Sequence, residues 1–243
     1  VINGITFSLQ DTTAANANIT VTVNPDTTTA QNSIVNFINT YNAIRTFAAQ
    51  QTQLNSDGTY AATAVLAGNS TFRSVMADLT QQITGQVSGL TGLTSLASVG
   101  ITLTTQPATT GTNATPQVDN ILTLNDATLS SALATNFSGV ANLFGFNLTS
   151  DNSNLSVFSE TTPLGANSFT LNIDPSTSTF TADIGGGNPL ITLTPVALPG
   201  SLGYLLTGPA GSALAGLNLI YASTSAATIN VTATQGIADQ MYN

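Results

Sequence analysis

The sequence predicts an α+β fold: a helical leg segment with a small β-hairpin, joined to β-rich head and insertion segments. Three observations lead there. Apolar residues recur with helical period over 34–48 and 72–87; they alternate with Thr and Ser at period two over 1–24 and in short runs beyond 147; and the two textures occupy separate stretches. The 243 residues suit one large or two small domains, and a hydrophobic content of 42% is enough to bury a core.

Residues 1–24 read as a hairpin, because Ile5, Phe7 and Leu9 alternate with polar neighbours, as do Ile19, Val21 and Val23 after a polar turn. Pro25 ends the second strand. The run Asp26-Thr27-Thr28-Thr29 offers N-caps, with Thr28 and Gln31 at capping-box spacing. A helix follows, with Ile34, Phe37, Ile38, Tyr41, Ile44 and Ala48 on one stripe. After a loop around Asn55-Ser56-Asp57-Gly58 comes a second stripe, Phe72, Val75, Met76, Leu79, Ile83 and Val87, capped by Ser70 and broken by Gly85, Gly89 and Gly92. Two such helices on a short connection are expected to pack antiparallel.

Val99 to Thr104 and Ile121 to Leu124 read as short strands around a Thr/Pro/Gly loop. Asn125 and Asp126 cap a helix with Leu129, Ala132 and Leu133 on one face, and the turn from Val140 to Phe144 ends at Gly145. Residues 147–235 hold short alternating runs such as Phe169 to Ile173 and Ile191 to Leu193. Gly216 to Tyr221 and Thr228 to Thr232 repeat the texture of the opening hairpin, so they are expected to pair as a last hairpin before a helix starting near Gln235 to Asp239.

Composition restricts the chemistry. There is no His and no Cys, so there is no imidazole base for a Ser nucleophile and no ligand set for zinc, haem or iron–sulfur. No cofactor is expected. With two cations, Arg45 and Arg73, against 11 acids, the net charge of −9 argues against nucleic acid. Charged residues make up 5%, far below the roughly 25% of ordinary domains, and Thr (42), Asn (24) and Ser (22) fill the difference. No segment reaches the roughly 20 apolar residues that would cross a bilayer; Leu214 to Ala222 comes closest and contains Gly216 and Asn218. The opening Val1-Ile2-Asn3-Gly4 carries neither an initiator Met nor a signal sequence, so an internal fragment is expected. What remains is an acidic binding module or a structural part, not an enzyme.

The acids offer few sites. Asp119, Asp126, Asp151, Glu160, Asp174 and Asp183 are scattered without the spacing of a calcium loop, and turn or cap roles suit them better than metal ligation. A two-carboxylate glycosidase would have to use Glu160, the sole Glu, without any Trp as a sugar platform. Arg45 and Arg73 each sit inside a predicted amphipathic helix. A carboxylate or helix-end partner is the expected use of each, and a contact between subunits is the alternative.

The order of segments resembles the flagellar filament-capping family, also called hook-associated protein 2. The resemblance rests on Ile2-Asn3-Gly4-Ile5-Thr6-Phe7 with Asp11-Thr12-Thr13, the helix from Ile34 to Ile44, and Leu66-Ala67-Gly68-Asn69-Ser70-Thr71-Phe72-Arg73. It continues through Leu96 to Thr102, Leu122-Thr123-Leu124-Asn125-Asp126 with Leu129 and Ala132-Leu133, and Val140 to Phe144, all in family order across 1–145. The scarcity of cations in the leg helices departs from typical members, which carry far more Lys.

The resemblance implies a division into a hairpin ending a head domain (1–26), a helical leg-type domain (27–146), an inserted β-rich domain (147–235) and the start of a returning helix (236–243). It also implies a structural assembly factor at the distal tip of an extracellular flagellum. Such a factor forms a ring of copies of itself and assists flagellin subunits to fold and insert, with no membrane insertion. Arg45, Arg73, Phe37, Tyr41, Phe72 and Met76 are the candidate subunit contacts. The apolar stripes are expected to leave an exposed strip or to self-associate. Two rivals stand: a flagellin or another hook-associated junction protein, and an extracellular adhesin or carbohydrate-binding β domain at 147–235, for which Tyr204 and Tyr221 are the Tyr candidates for a platform.

Overall fold

The computed structural model describes residues 24–55, 57–110 and 115–242. The hairpin expected over 1–24 lies almost wholly outside them. Helix α1 (Thr27–Gln51) begins at Asp26, whose carboxylate accepts hydrogen bonds from the Thr29 N–H at 2.9 Å and the Thr29 hydroxyl at 2.7 Å. The Thr28–Gln31 capping box does not form, because the helix is already under way at Thr27. Helix α2 (Ser70–Thr84) is capped by Asn69, one residue before the expected Ser70, through the Phe72 N–H at 2.9 Å.

A short 3₁₀ turn (Leu96–Val99) leads into β1 (Ile101–Gln106), which pairs antiparallel with β2 (Val118–Leu124). Ile101 lies opposite Leu124 and Leu103 opposite Leu122, so one face of this two-stranded ribbon is apolar and packs on α1. Helices α3 (Asp126–Thr135) and α4 (Phe137–Phe144) are capped by Asn125 and Asn136. Together these elements enclose one core, with Ile34, Ile38, Tyr41, Ile83, Val99, Ile101, Leu129 and Leu143 at its centre.

The second core lies between two antiparallel sheets. One has the order β3 (Phe146–Ser150), β11 (Ala227–Gln235), β5 (Ser168–Asp174), β6 (Thr179–Asp183), β7 (Ile191–Thr192). The other has the order β4 (Leu155–Ser159), β10 (Asn218–Tyr221), β9 (Tyr204–Thr207), β8 (Thr194–Ala197). Period-two alternation sends Phe169, Leu171 and Ile173, with Ile229, Val231 and Ala233, inward against Leu155, Leu206, Leu219 and Tyr221. The expected last hairpin is corrected here. Residues 218–221 and 227–232 are strands, but they belong to different sheets and do not pair. Both strands turn their apolar side chains inward, so they meet face to face across the core. The chain crosses between sheets at 222–226, where the Tyr221 hydroxyl donates to the Ser225 carbonyl at 2.9 Å.

Two crossings join the cores. Helix α4 runs through Gly145 into β3, and β11 runs through Gly236 into α5 (Ile237–Tyr242), which returns Ile237 to the helical core. The crossings lie side by side, with the Gly236 N–H donating to the Gly145 carbonyl at 3.0 Å.

Candidate functional site

Four of the six sequence-selected residues converge. Arg45, Phe72, Arg73 and Met76 line a groove of about 810 Å³ together with Ala48, Ala49 and Leu54. The end of α1 faces the start of α2 across this groove. Their closest packing is nevertheless not on each other, since α1 rests mainly on β2 and α3.

Among the described residues, the partners of Arg45 are neutral oxygens and not the expected carboxylate or helix end. Its Nε donates to the Asp119 carbonyl at 3.0 Å, and its Nη1 donates to the Met76 carbonyl at 3.4 Å and the Thr80 hydroxyl at 3.2 Å. The guanidinium therefore ties β2 and α2 to α1 through neutral oxygens. The Asp119 carboxylate is meanwhile taken by the Thr105 hydroxyl and the Gln117 amide. Arg73 is exposed, and among the described residues no carboxylate pairs with it. Both cations of a chain with net charge −9 thus border one groove.

The other two candidates serve the chain's own core. Tyr41 is 1% exposed. Burial pushes its phenol pKa up, and the Arg45 charge opposes that shift. No hydrogen bond of ordinary length reaches its hydroxyl among the described residues, because the nearby Thr80 hydroxyl donates instead to the Met76 carbonyl at 2.9 Å. Phe37 is half-buried and meets Phe144 edge-on, with ring centroids 5.7 Å apart. What α1 offers to solvent is Ile44 and Phe47, 39% and 50% exposed. Ile44 lies on the apolar stripe read from the sequence. Phe47 falls outside that stripe, so periodicity alone did not single it out.

The acids take turn and bracing roles. Asp174 accepts from the Ser176 N–H and hydroxyl, Asp183 accepts from the Gly185 N–H, and Asp151 holds the backbone and side-chain amides of Asn230 at 2.9 and 2.8 Å. Hydrogen bonds lower the Asp174 pKa, led by that from the Ser176 hydroxyl. Among the described residues no three His, Cys, Asp or Glu side chains gather where a metal ion could sit. Nor do Tyr204 and Tyr221 form a flat sugar platform: Tyr221 is 1% exposed, and the Tyr204 ring packs against Phe180 at 5.0 Å.

The family described as flagellar hook-associated protein 2 C-terminus matches residues 1–180. The chain belongs to this family. No curated protein and no solved structure matches it. Membership of the hook-associated protein 2 family makes the chain a structural, flagellum-associated protein that works outside the cell. The match covers every residue of the groove and runs past residue 145, through β3, β4 and β5. Among the described residues no helix is long and apolar enough to cross a membrane.

Proposed function

We propose that this chain is part of the cap at the distal tip of the flagellar filament, where copies of it form a ring and help flagellin subunits to fold and insert. It does this work as a structural part, without enzymatic chemistry. The family match over 1–180 carries the reading. The surface of the helical region supports it: an apolar ridge at Ile44 and Phe47 adjoins a groove bordered by Phe72, Met76 and two arginines. That combination suits a partner helix with an apolar stripe and flanking acids. In this reading Arg45, Arg73, Phe72 and Met76 are the subunit contacts, and Phe37 and Tyr41 support them from beneath. The sandwich of residues 147–235 is an insertion that extends outward from the cap.

Immunogold labelling of flagella with antibodies against the chain tests this directly. Label at the free filament ends is expected, together with unpolymerised flagellin in the medium when the gene is deleted. Label along the shaft would instead indicate a flagellin, and label at the filament base would indicate a junction protein.

A further inference from the structure

Helix α2 turns toward solvent a face that is its own complement. Ser70, Arg73, Ser74, Ala77, Asp78 and Gln81 are all exposed. At about 100° per residue they share one side of the helix, opposite the side that carries the buried Ile83. Arg73 stands at one margin of this face and Asp78 at the other, about 140° apart around the axis and about one and a half turns apart along it. They do not face each other, because neighbours on a helix surface are three or four positions apart. Among the described residues, neither side chain has a hydrogen bond or an ion pair within the chain. Helix α5 approaches α2 beside Asp78, where Ile237 and Gln240 line a cleft with it, and leaves Asp78 exposed. The chain's other cation, Arg45, is already held by Asp119, Met76 and Thr80.

A two-fold axis through the middle of this face exchanges its two margins. In an antiparallel pair of α2 helices related by that axis, Arg73 of each copy comes opposite the partner's Asp78. Ser74 comes opposite the partner's Ala77, and side chains this small let two helices approach to about 8 Å. Gln81 comes opposite the partner's Ser70, an amide facing a hydroxyl that can donate or accept. We propose that this face docks a second copy of the chain in an antiparallel two-fold pair, closed by reciprocal Arg73–Asp78 ion pairs. Charge favours a second copy as the occupant. A chain of net charge −9 repels its own copies, and this arrangement sets the cation that its own chain leaves unpaired on an acid of the other copy.

The apolar neighbours fit the same arrangement. Val75 is 55% exposed and lies beyond Asp78 around α2, so the two-fold axis carries the partner's Val75 to the Arg73 side. That is the side on which the Thr80 hydroxyl receives Arg45 of α1, with Ile44 and Phe47 exposed beside it. The α1 ridge and the charged face of α2 therefore make one surface. The pairing does not depend on where along the flagellum the chain works. A two-fold contact closes on itself, so it adds to the head-to-tail contacts that a ring requires.

Charge reversal tests the pair, with association followed by sedimentation equilibrium at about 50 mM salt, where surface charges are least screened. The parent chain should form dimers. Arg73→Asp and Asp78→Arg, each alone, should weaken the dimer at least about tenfold, because each sets like charges opposite one another at both ends of the contact. An equimolar mixture of the two variants should dimerise again with nearly the parent affinity, since every contact of the mixed pair then joins an acid to a cation. Recovery on mixing also shows that the separate variants are folded. The pair is overturned if the parent chain stays monomeric at the highest concentration reached, if either reversal associates as the parent does, or if the mixture associates no better than its components.

Discussion

The Asn42 side chain grips Leu122 by both of its backbone groups: Nδ2 donates to the Leu122 carbonyl at 2.9 Å, and Oδ1 accepts from the Leu122 N–H at 2.7 Å. The side-chain amide takes the place of a neighbouring strand. It satisfies both backbone groups of Leu122 and covers that point of the β2 edge. Asn42→Ala strands both groups in a part-buried setting and is expected to cost about 2 kcal/mol in urea unfolding. Asn42→Asp keeps the acceptor but sets a carboxylate against the Leu122 carbonyl. Its deficit should shrink on acidification below about pH 4, when the protonated carboxyl can donate again.

Much of the helical part was legible in the sequence, because its elements are local. A stripe such as Ile34, Ile38 and Tyr41, the Asn125 cap of α3 and the Gly145 that ends α4 all act within a few residues. The Asn42–Leu122 grip and the Arg45–Asp119 tie were not legible, since each joins residues more than 70 positions apart and uses backbone oxygens that leave no mark on composition. The sandwich illustrates the same limit. Alternation marked 218–221 and 228–232 as strands, but alternation does not say which sheet a strand joins, and the two fell on opposite sides of the core.

Asn136 serves two helices at once, closing α3 and capping α4 through the Gly139 N–H at 3.0 Å. Asn136→Ala is expected to lower stability by about 1 kcal/mol, and Asn136→Asp by less, since it keeps the accepting oxygen. Chemical denaturation of the two variants side by side separates the cap from a general surface effect.

Gly236 stands where no side chain fits. A Cβ there would lie 2.2 Å from the Phe144 carbonyl carbon and 2.4 Å from the Gly145 nitrogen, both backbone atoms that cannot step aside alone. Gly236→Ala should therefore spread the two crossings and weaken the bond from the Gly236 N–H to Gly145, at a cost of about 3 kcal/mol. Amide exchange should rise first at Thr234 to Ile237, ahead of the sheet interior.

Glu160 is the sole Glu, so protein labelled with ¹³C at the Glu carboxyl gives one signal for its titration. The expected midpoint is about 7, against the ordinary 4.5. A raised pKa means that the native chain holds this proton more tightly than the unfolded chain does. The Glu160 contribution is therefore complete below about 4.5 and is lost as pH climbs through about 7. Glu160→Gln should remove that slope from unfolding measured across the window. Asp239→Asn should move the Glu160 midpoint downward in the otherwise unchanged protein.

Ile44 and Phe47 flank Arg45 on α1, and they remain 39% and 50% exposed. Had they been needed for the chain's own core, replacing them would destabilise it. Because they face solvent, the paired change Ile44→Ser and Phe47→Ser should shift unfolding by no more than about 0.5 kcal/mol. The same change removes the apolar ridge on which assembly through this face depends. Sedimentation at rising concentration should therefore show self-association in the parent chain and its loss in the variant. Tyr41→Ala should behave in the opposite way. It empties a position that is 1% exposed, costs about 3–5 kcal/mol, and affects association only as far as the helix itself unfolds. Equal self-association of parent and ridge variant would show that copies meet through another face, and the outer side of the β8–β9–β10–β4 sheet, with Phe158 and Val196 64% and 55% exposed, would be the surface to change next.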